Sequence, residues 1–559
     1  MPVTFSPKAI PAGAVQQQSL LFGWLLLLLA WALATLTGLV TRTMIPVDEL
    51  RYASVAWEMW SRGDFLVPYL NGEAYSHKPP LFFWLIHAGW WLFGVNEHVV
   101  RLVAPLLTLV ILVLAAWLAR LLWPRQAGVA QLSPGVLLSC VFLLGFFAWV
   151  QIDLLLVAST LLALCGVVLA ADGRRAGWLL AGVGLGLGLL SKGPVILLHV
   201  LPLAWLAPLW IAPEARPRWL AWYAGSVFSV LVGAALVLAW ALPAALAGGE
   251  AYRQAIFWGQ TAHRVVESFA HAHPAWWYLP WLLVLFAPWI LLPWLWRATH
   301  LAWQQRDRGM RFCVTWMLVA LLLLSLVSGK QVKYLLPMLP AFALLVSRVL
   351  VVMPGQPVAQ RPWLLGGLLV LLGVAGLRAP YVISKAAWLN TVSPWWGGLL
   401  LVLGVLYLLL PAGRPRQYPV RMLLLSLCTI MIAEIGVLRV GAPAYDLKAA
   451  SRVIADAQAE GRPVAITEKY HGQFGFYGRL RQPLQEIGAA QIRDWTQAHP
   501  NGYLVMTGKK SDIAYPVVIF QQPYQSGYLV IVGAGLSGMD STRQPVNPTT
   551  TEHQRNTVP

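Results

Sequence analysis

Long apolar runs broken by short polar turns set the pattern of this chain. Runs of about 18 or more apolar residues recur as far as residue 439, and each is long enough to cross a bilayer. Spans are expected near 20–41, 98–121, 134–151, 153–171, 178–190, 194–212, 219–246, 279–297, 312–328, 334–352, 363–378, 395–411 and 421–439. The apolar stretch 81–94 is too short for a span and is expected at the interface. Three runs must be divided. The first, Val136 to Ala171, holds about 36 residues, roughly twice one span. Arg125 flanks one side and Arg174 and Arg175 the other. Basic loops collect on the cytoplasmic side, so a run with two basic flanks crosses an even number of times. Its turn is expected at Gln151-Ile152-Asp153. By the same argument 178–211 breaks at Ser191-Lys192-Gly193-Pro194, and 312–352 breaks at 328–334.

Beyond residue 440 the pattern changes. Asp446 to Glu460 has helical spacing. Pro463–Thr467, Tyr503–Thr507, Tyr515–Phe520 and Tyr528–Val532 are β-branched or aromatic runs bounded by turn formers. The chain therefore divides into a mainly α, polytopic membrane part, 1–439, with about thirteen spans. A small external α/β domain, 440–540, follows, and then a polar tail, 541–559, expected to be disordered. The first apolar run exceeds a signal h-region and reads as a retained span. Counting crossings puts 42–97, 151–153, 191–194, 247–278, 328–334, 379–394 and everything after 440 outside, with 42–97 and 247–278 the principal external loops.

Composition agrees. Hydrophobic residues make up 58% and charged residues 11%, against roughly 25% charged in soluble domains. Mean hydropathy is +0.64. The net charge of +18 comes largely from arginines in the loops between spans, so no nucleic-acid partner is implied. Cys140, Cys165, Cys313 and Cys428 fall inside apolar runs and are expected to be small buried hydrophobes.

The informative charges are those the topology rule depletes from the outside. They are Arg51, Lys78, Lys192, Arg253, Arg264, Lys330, Lys333 and Lys385. A cationic pocket for phosphate is one reading, and snorkelling to lipid headgroups is the other. Snorkelling is favoured for Lys385, Arg42 and Arg62. Asp48 and Asp153 are rare carboxylates at the same membrane edge, and either also suits an N-cap. If 48–62 is helical, Arg51 and Tyr52 lie one turn from Asp48. Glu49 and Asp64 are expected to be solvated. His263 and Glu267 stand four apart, a spacing open to a divalent metal or to phosphate-contacting side chains. No zinc, EF-hand, Rossmann or P-loop motif is present.

These pieces resemble the polyprenyl-phosphate-dependent membrane glycosyltransferases of the GT-C class, the protein O-mannosyltransferase superfamily. The resemblance is carried by DELRYA from Asp48, GDFLVP from Gly63, KPP from Lys78, Asp153 and SKGP from Ser191. Arg264, PAWWY from Pro274 and SGKQVKYLLPMLP from Ser328 complete it. The layout with an external α/β tail looks most like the lipid A 4-amino-4-deoxy-L-arabinose transferases. His77 departs from the acidic residue expected before the lysine of the KP motif.

The resemblance implies a GT-C fold in a bacterial inner membrane, with its site facing the periplasm. It implies an undecaprenyl-phosphate sugar as donor and lipid A, or another periplasmic acceptor such as a protein hydroxyl, as acceptor. Asp48 and Asp153 would be catalytic. Lys78 and Arg264 would stabilise the departing phosphate, with Arg51, Lys192, Lys330 and Lys333 adding charge and Tyr75 and Tyr334 hydroxyls. A flippase of lipid-linked sugars is the alternative from another class. It would place charges on both sides of the midplane.

Overall fold

A computed structural model of the chain describes residues 12–259, 273–304, 307–353, 362–382, 387–411, 413–508 and 517–534. Helix α1 (Ala12–Thr41) leads into α2 (Asp48–Arg62), a hairpin of β1 (Tyr69–Leu70) and β2 (Glu73–Ala74), and α3 (Leu81–Phe93). There follow α4 (Glu97–Leu122), α5 (Ala127–Leu138), α6 (Val141–Phe146), α7 (Asp153–Ala171), α8 (Ala176–Lys192) and α9 (Val195–Trp205). Among the described residues, eight helical stretches are long and apolar enough to cross a membrane.

The expected thirteen counted apolar runs, and several runs are not continuous helices. In 134–151, α5 stops at Leu138, Cys140 is extended, and the Val141 amide turns to the Ala287 carbonyl at 3.0 Å. The expected span 279–297 is likewise broken between Leu285 and Pro293. Cys140, Cys165 and Cys313 are buried as expected, but Cys428 is exposed.

Helix α7 is the centre of the bundle. Most of its residues from Asp153 to Val168 are buried, as befits a helix that is apolar all round. Small residues let α8 lie directly on it. A Cβ on Gly166 would fall 2.4 Å from the Ala181 amide nitrogen, and one on Gly184 2.5 Å from that of Ala163.

Helix α2 runs over the predicted span, 48–62. It ends because Gly63 takes a left-handed φ of 69° and its amide and that of Asp64 bond back to Trp60 and Met59 at 3.2 and 3.1 Å, a glycine C-cap. Asp64, expected to be solvated, instead accepts from the amides of Leu66 and Val67 at 2.9 and 3.1 Å. The hairpin turns on Asn71-Gly72, both at positive φ, the preferred two-residue turn.

The tail domain holds a sheet ordered β4-β3-β5-β7-β6, from β3 (Val464–Ile466), β4 (Gln485–Glu486), β5 (Tyr503–Gly508), β6 (Val518–Tyr524) and β7 (Gly527–Gly533). Strand β3 runs parallel to β4 and β5, and the β5–β7–β6 pairings are antiparallel. The helix Lys448–Ala459 falls where the periodicity put it. β4 and the short helix Ile492–Ala498 had no sequence signal strong enough to predict.

One apolar cluster joins this domain to α2: Leu50, Trp57 and Met59 pack with Ile454, Phe474 and Ile531. Ser54 Oγ donates to the Gly472 carbonyl at 2.6 Å and accepts from the Phe476 amide at 2.9 Å. Trp57 Nε1 donates to the Leu480 carbonyl at 2.9 Å.

Gly166→Val should lower the thermal unfolding midpoint of the purified protein, because the α7–α8 contact leaves no room for a side chain. The expected cost is roughly 1–3 kcal/mol or more. Gly367→Ala, with no neighbour within 4 Å of its Cβ position, should leave the midpoint nearly unchanged.

Candidate active site

Asp48 is the first residue of α2, and its carboxylate does not cap the helix. One oxygen pairs with Arg51, a turn further on, and the other accepts from Lys333 Nζ at 3.2 Å. Asp153 opens α7 and is almost fully buried. Its carboxylate pairs with Lys192, the last residue of α8. Lys192 Nζ also stands 4.4 Å over the ring of Tyr334. The sequence motifs DEL, QID, SKGP and SGKQVKY thus meet in space, because each lies at a helix end or break on one side of the bundle.

Electrostatics bind the set together. Lys333 feels both Asp153 and Asp48, and Lys192 feels Lys333 and Asp48 as well as its own partner. Burial pushes the Asp48 carboxyl up, but Lys333 and Arg51 outweigh it and hold the group below the ordinary carboxylate range. Asp48 is therefore an anion at neutral pH. Burial, reinforced by the charges of Asp48, Tyr75 and Asp153, raises the Tyr52 phenol well above its usual value. Tyr52 is thus a neutral hydroxyl lying among these groups.

Other predicted residues fall differently. Lys330 is buried and donates to the carbonyls of His273 at 2.9 Å and Ser328 at 3.5 Å, as well as to that of Val327. Its ammonium is committed to holding its own loop, so it does not join the acids. The extended Gln331 redirects the chain, and the 3-10 turn Val332–Met338 then presents Lys333 and Tyr334. Tyr75 is buried, its ring 5.3 Å from that of His77. Lys78 is half-buried in the segment between the hairpin and α3. Arg253 pairs with Glu250 at 2.5 Å on an exposed helix. Arg264, His263, Glu267, Lys385 and the tail 541–559 lie outside the described residues. Among the described residues no group of three or more His, Cys, Asp or Glu is placed to hold a metal.

Sequence reasoning missed a second buried charge layer. Glu49, expected to be solvated, is 2% exposed. It pairs with Arg42 Nη1 at 2.6 Å and accepts from the amides of Ile45 and Val150, both at 2.7 Å. Arg42, expected to snorkel, is also buried. It donates to the Ala148 carbonyl at 2.9 Å and stacks on Trp149 at 4.2 Å. Arg101, fully buried in α4, donates to the carbonyls of Leu39 and Arg42 at 3.1 and 2.8 Å. One carboxylate thus ties the start of α2, which bears Asp48, to the 148–150 segment, which leads into Asp153. The only available signal was position: adjacent helical residues point about 100° apart. With Asp48 facing Lys333, Glu49 turns towards the bundle.

The Dolichyl-phosphate-mannose-protein mannosyltransferase family description matches residues 77–245. An undecaprenyl phosphate-α-4-amino-4-deoxy-L-arabinose arabinosyl transferase of Pseudomonas paraeruginosa is 32% identical over 451 residues, covering 70% of this chain and 76% of that one. The chain belongs to this arabinosyl transferase family. A member from Erwinia tasmaniensis is 33% identical over 333 residues, and the match spans 58% of each protein.

Among solved structures, ArnT from Cupriavidus metallidurans bound to undecaprenyl phosphate superposes with a TM-score of 0.74. It is 19% identical and covers 93% of this chain and 99% of that one. The fold is therefore that of a GT-C membrane glycosyltransferase, as the motifs implied, and the chain is a multi-pass membrane protein of this family.

Glu49→Gln should destabilise the protein by roughly 3–5 kcal/mol, because Arg42 would be left as a buried charge without its counter-charge. A fall in the thermal unfolding midpoint checks this. The double variant Glu49→Gln/Arg42→Met should recover part of the loss.

Proposed function

We propose that the chain moves 4-amino-4-deoxy-L-arabinose from undecaprenyl phosphate to a phosphate of lipid A, at the periplasmic face of a bacterial inner membrane. The observation that carries this reading is the convergence of Asp48 and Asp153 with Lys192, Lys333 and Tyr334. The activity for which the relatives are named, and a fold shared with a protein that binds undecaprenyl phosphate, support it.

In this reading an acceptor phosphate oxygen attacks the anomeric carbon from the face opposite the donor phosphate. The bond from that carbon to the undecaprenyl phosphate oxygen breaks, its electron pair stays on the phosphate, and the configuration inverts. Negative charge gathers on the leaving phosphate, where preorganised cations lower the barrier most. Lys333 and Lys192 are already fixed by the two aspartates and need little reorganisation. Lys78 and Arg264 are the family-matched cations, and the hydroxyls of Tyr75 and Tyr334 donate to the phosphate.

A phosphomonoester acceptor is largely ionised at neutral pH, so it requires no general base. Asp48 and Asp153 then orient the cations and pair with the sugar's ammonium. A Ser or Thr acceptor would need Asp48 as a base. The mannosyltransferase description matched at 77–245 favours that second reading. The ion pairs of Asp48 with Lys333 and Arg51, which hold its carboxyl below the ordinary range, weigh against it, because a carboxylate stabilised by cations is a weaker base.

Purified protein in nanodiscs should add the sugar's mass to lipid A, and not to a Ser/Thr peptide, when given the undecaprenyl-phosphate sugar. Asp48→Asn, Asp153→Asn and Lys192→Met should each lower the rate roughly 100-fold or more while the protein still folds. Transfer to the peptide alone would select the mannosyltransferase-like reading. With Asp48 held below the ordinary value of 3.8, its ion pairs stabilise the fold above that pH and are lost only as the pH falls through the lowered value. Asp48→Asn should therefore leave any loss of rate between about pH 7 and 5 in place.

A further inference from the structure

The Asp48 cluster does not end at the membrane part. Arg51, paired with Asp48 on one side, meets a loop of the tail domain on the other. Gly472 in that loop lies so close that a Cβ there would sit 3.0 Å from the Arg51 Cα and 3.2 Å from the Ser54 Cβ. The Gly472 carbonyl is held by Ser54 Oγ at 2.6 Å. Its φ of +84° suits glycine, and so does the lack of room.

The loop is pinned on both sides of this contact. The Tyr470 amide donates to Glu486 Oε1 at 3.2 Å, and the His471 amide donates to Gln473 Oε1 at 2.6 Å. The buried Tyr470 ring anchors it beneath. This arrangement sets the half-exposed His471 imidazole within reach of the Arg51 charge, with the exposed Lys469 acting on the same imidazole from its own loop.

We propose that Arg51, His471 and Lys469 form a second anion site, built jointly by α2 and the tail domain, that holds a phosphate on the lipid acceptor as it approaches the Asp48 cluster. The ligand class is a phosphomonoester on an amphiphile headgroup. The proposal deepens the reading given above and rests on it for the identity of the acceptor. The tail domain thereby takes part in acceptor binding, since it supplies two of the three cations.

Among the described residues, four charged groups act on His471. Arg51 faces it from α2, Lys469 and Glu468 from its own loop, and Glu486 from β4. Glu468 is engaged by Thr507 Oγ1 across the sheet. Burial, then Arg51 and Lys469, hold the empty imidazole below its ordinary value against the two glutamates. A phosphate arriving between Arg51 and Lys469 reverses that balance, so the imidazole takes up a proton as the acceptor docks. Acceptor affinity should weaken as the pH rises through the histidine range, and His471→Arg should remove the His471 share of that dependence.

The test is equilibrium binding to the full chain in nanodiscs, with no donor present. The probes are a phosphorylated disaccharide lipid, its dephosphorylated counterpart, and inorganic phosphate. Wild type should bind the phosphorylated lipid roughly tenfold more tightly than the dephosphorylated one. Lys469→Ala and His471→Ala should each shrink that gap, leave binding of undecaprenyl phosphate unchanged, and keep the thermal unfolding midpoint. His471→Arg should keep the gap and flatten its pH dependence relative to wild type.

Inorganic phosphate should compete only weakly if the lipid's apolar part also contributes. Equal competition on a concentration basis would assign the site to free phosphate and overturn the lipid-acceptor role. An unchanged gap in both alanine variants, or no gap in wild type, would also overturn the proposal. Failure of sugar transfer with the gap intact would instead count against the function proposed above.

Discussion

Two ion pairs at helix ends hold the site together. Asp153 with Lys192 joins the start of α7 to the end of α8. Asp48 with Lys333 joins α2 to the segment after the 308–326 helix. Charges at the edge of an apolar bundle are costly unless paired. Each helix end is therefore constrained by the need to find its partner. The pairing also holds two ammonium groups in fixed positions, the preorganisation that the proposed phosphate role requires.

A deeper layer supports the first. Glu49 and Arg42 bond to backbone on both sides of the gap between Asp48 and Asp153, so the two acids are set relative to each other by main-chain contacts. The tail domain adds a third constraint through Ser54 and Trp57 on the outer face of α2. Helix α2 is thus gripped from the bundle side by Glu49 and from the tail side by Ser54, while Asp48 and Arg51 remain at the open end between them. A GT-C fold carrying a tail domain can in this way build one site from residues far apart in the chain.

Much of this was legible in the sequence, and what was not has physical reasons. The extent of α2 was readable because Gly63 stops it and polar residues open it. The breaks at Asp153, Ser191–Pro194 and 328–334 were readable from run length and basic flanks. These breaks carry Asp153, Lys192 and Lys333, so their convergence followed from topology. Glu49 and Arg42 were misjudged because a sequence does not say which helix face meets the bundle. Lys330 and Lys333 were given one role, but an extended residue between them turns one ammonium to backbone and the other to Asp48. Apolar runs were read as continuous helices because hydropathy ignores the breaks at Cys140 and between Leu285 and Pro293. β4, too short to alternate, was below any pattern signal.

If the paired lysines are the phosphate site, a lipid phosphate must rest against them. The most direct measurement is a cryo-EM structure of the protein in nanodiscs with undecaprenyl phosphate added. Density for the phosphate within hydrogen-bond distance of Lys333 or Lys192, beside Tyr334 and the two aspartates, is the expected result. A phosphate bound elsewhere, with both lysines still closed on Asp48 and Asp153, would contradict the account.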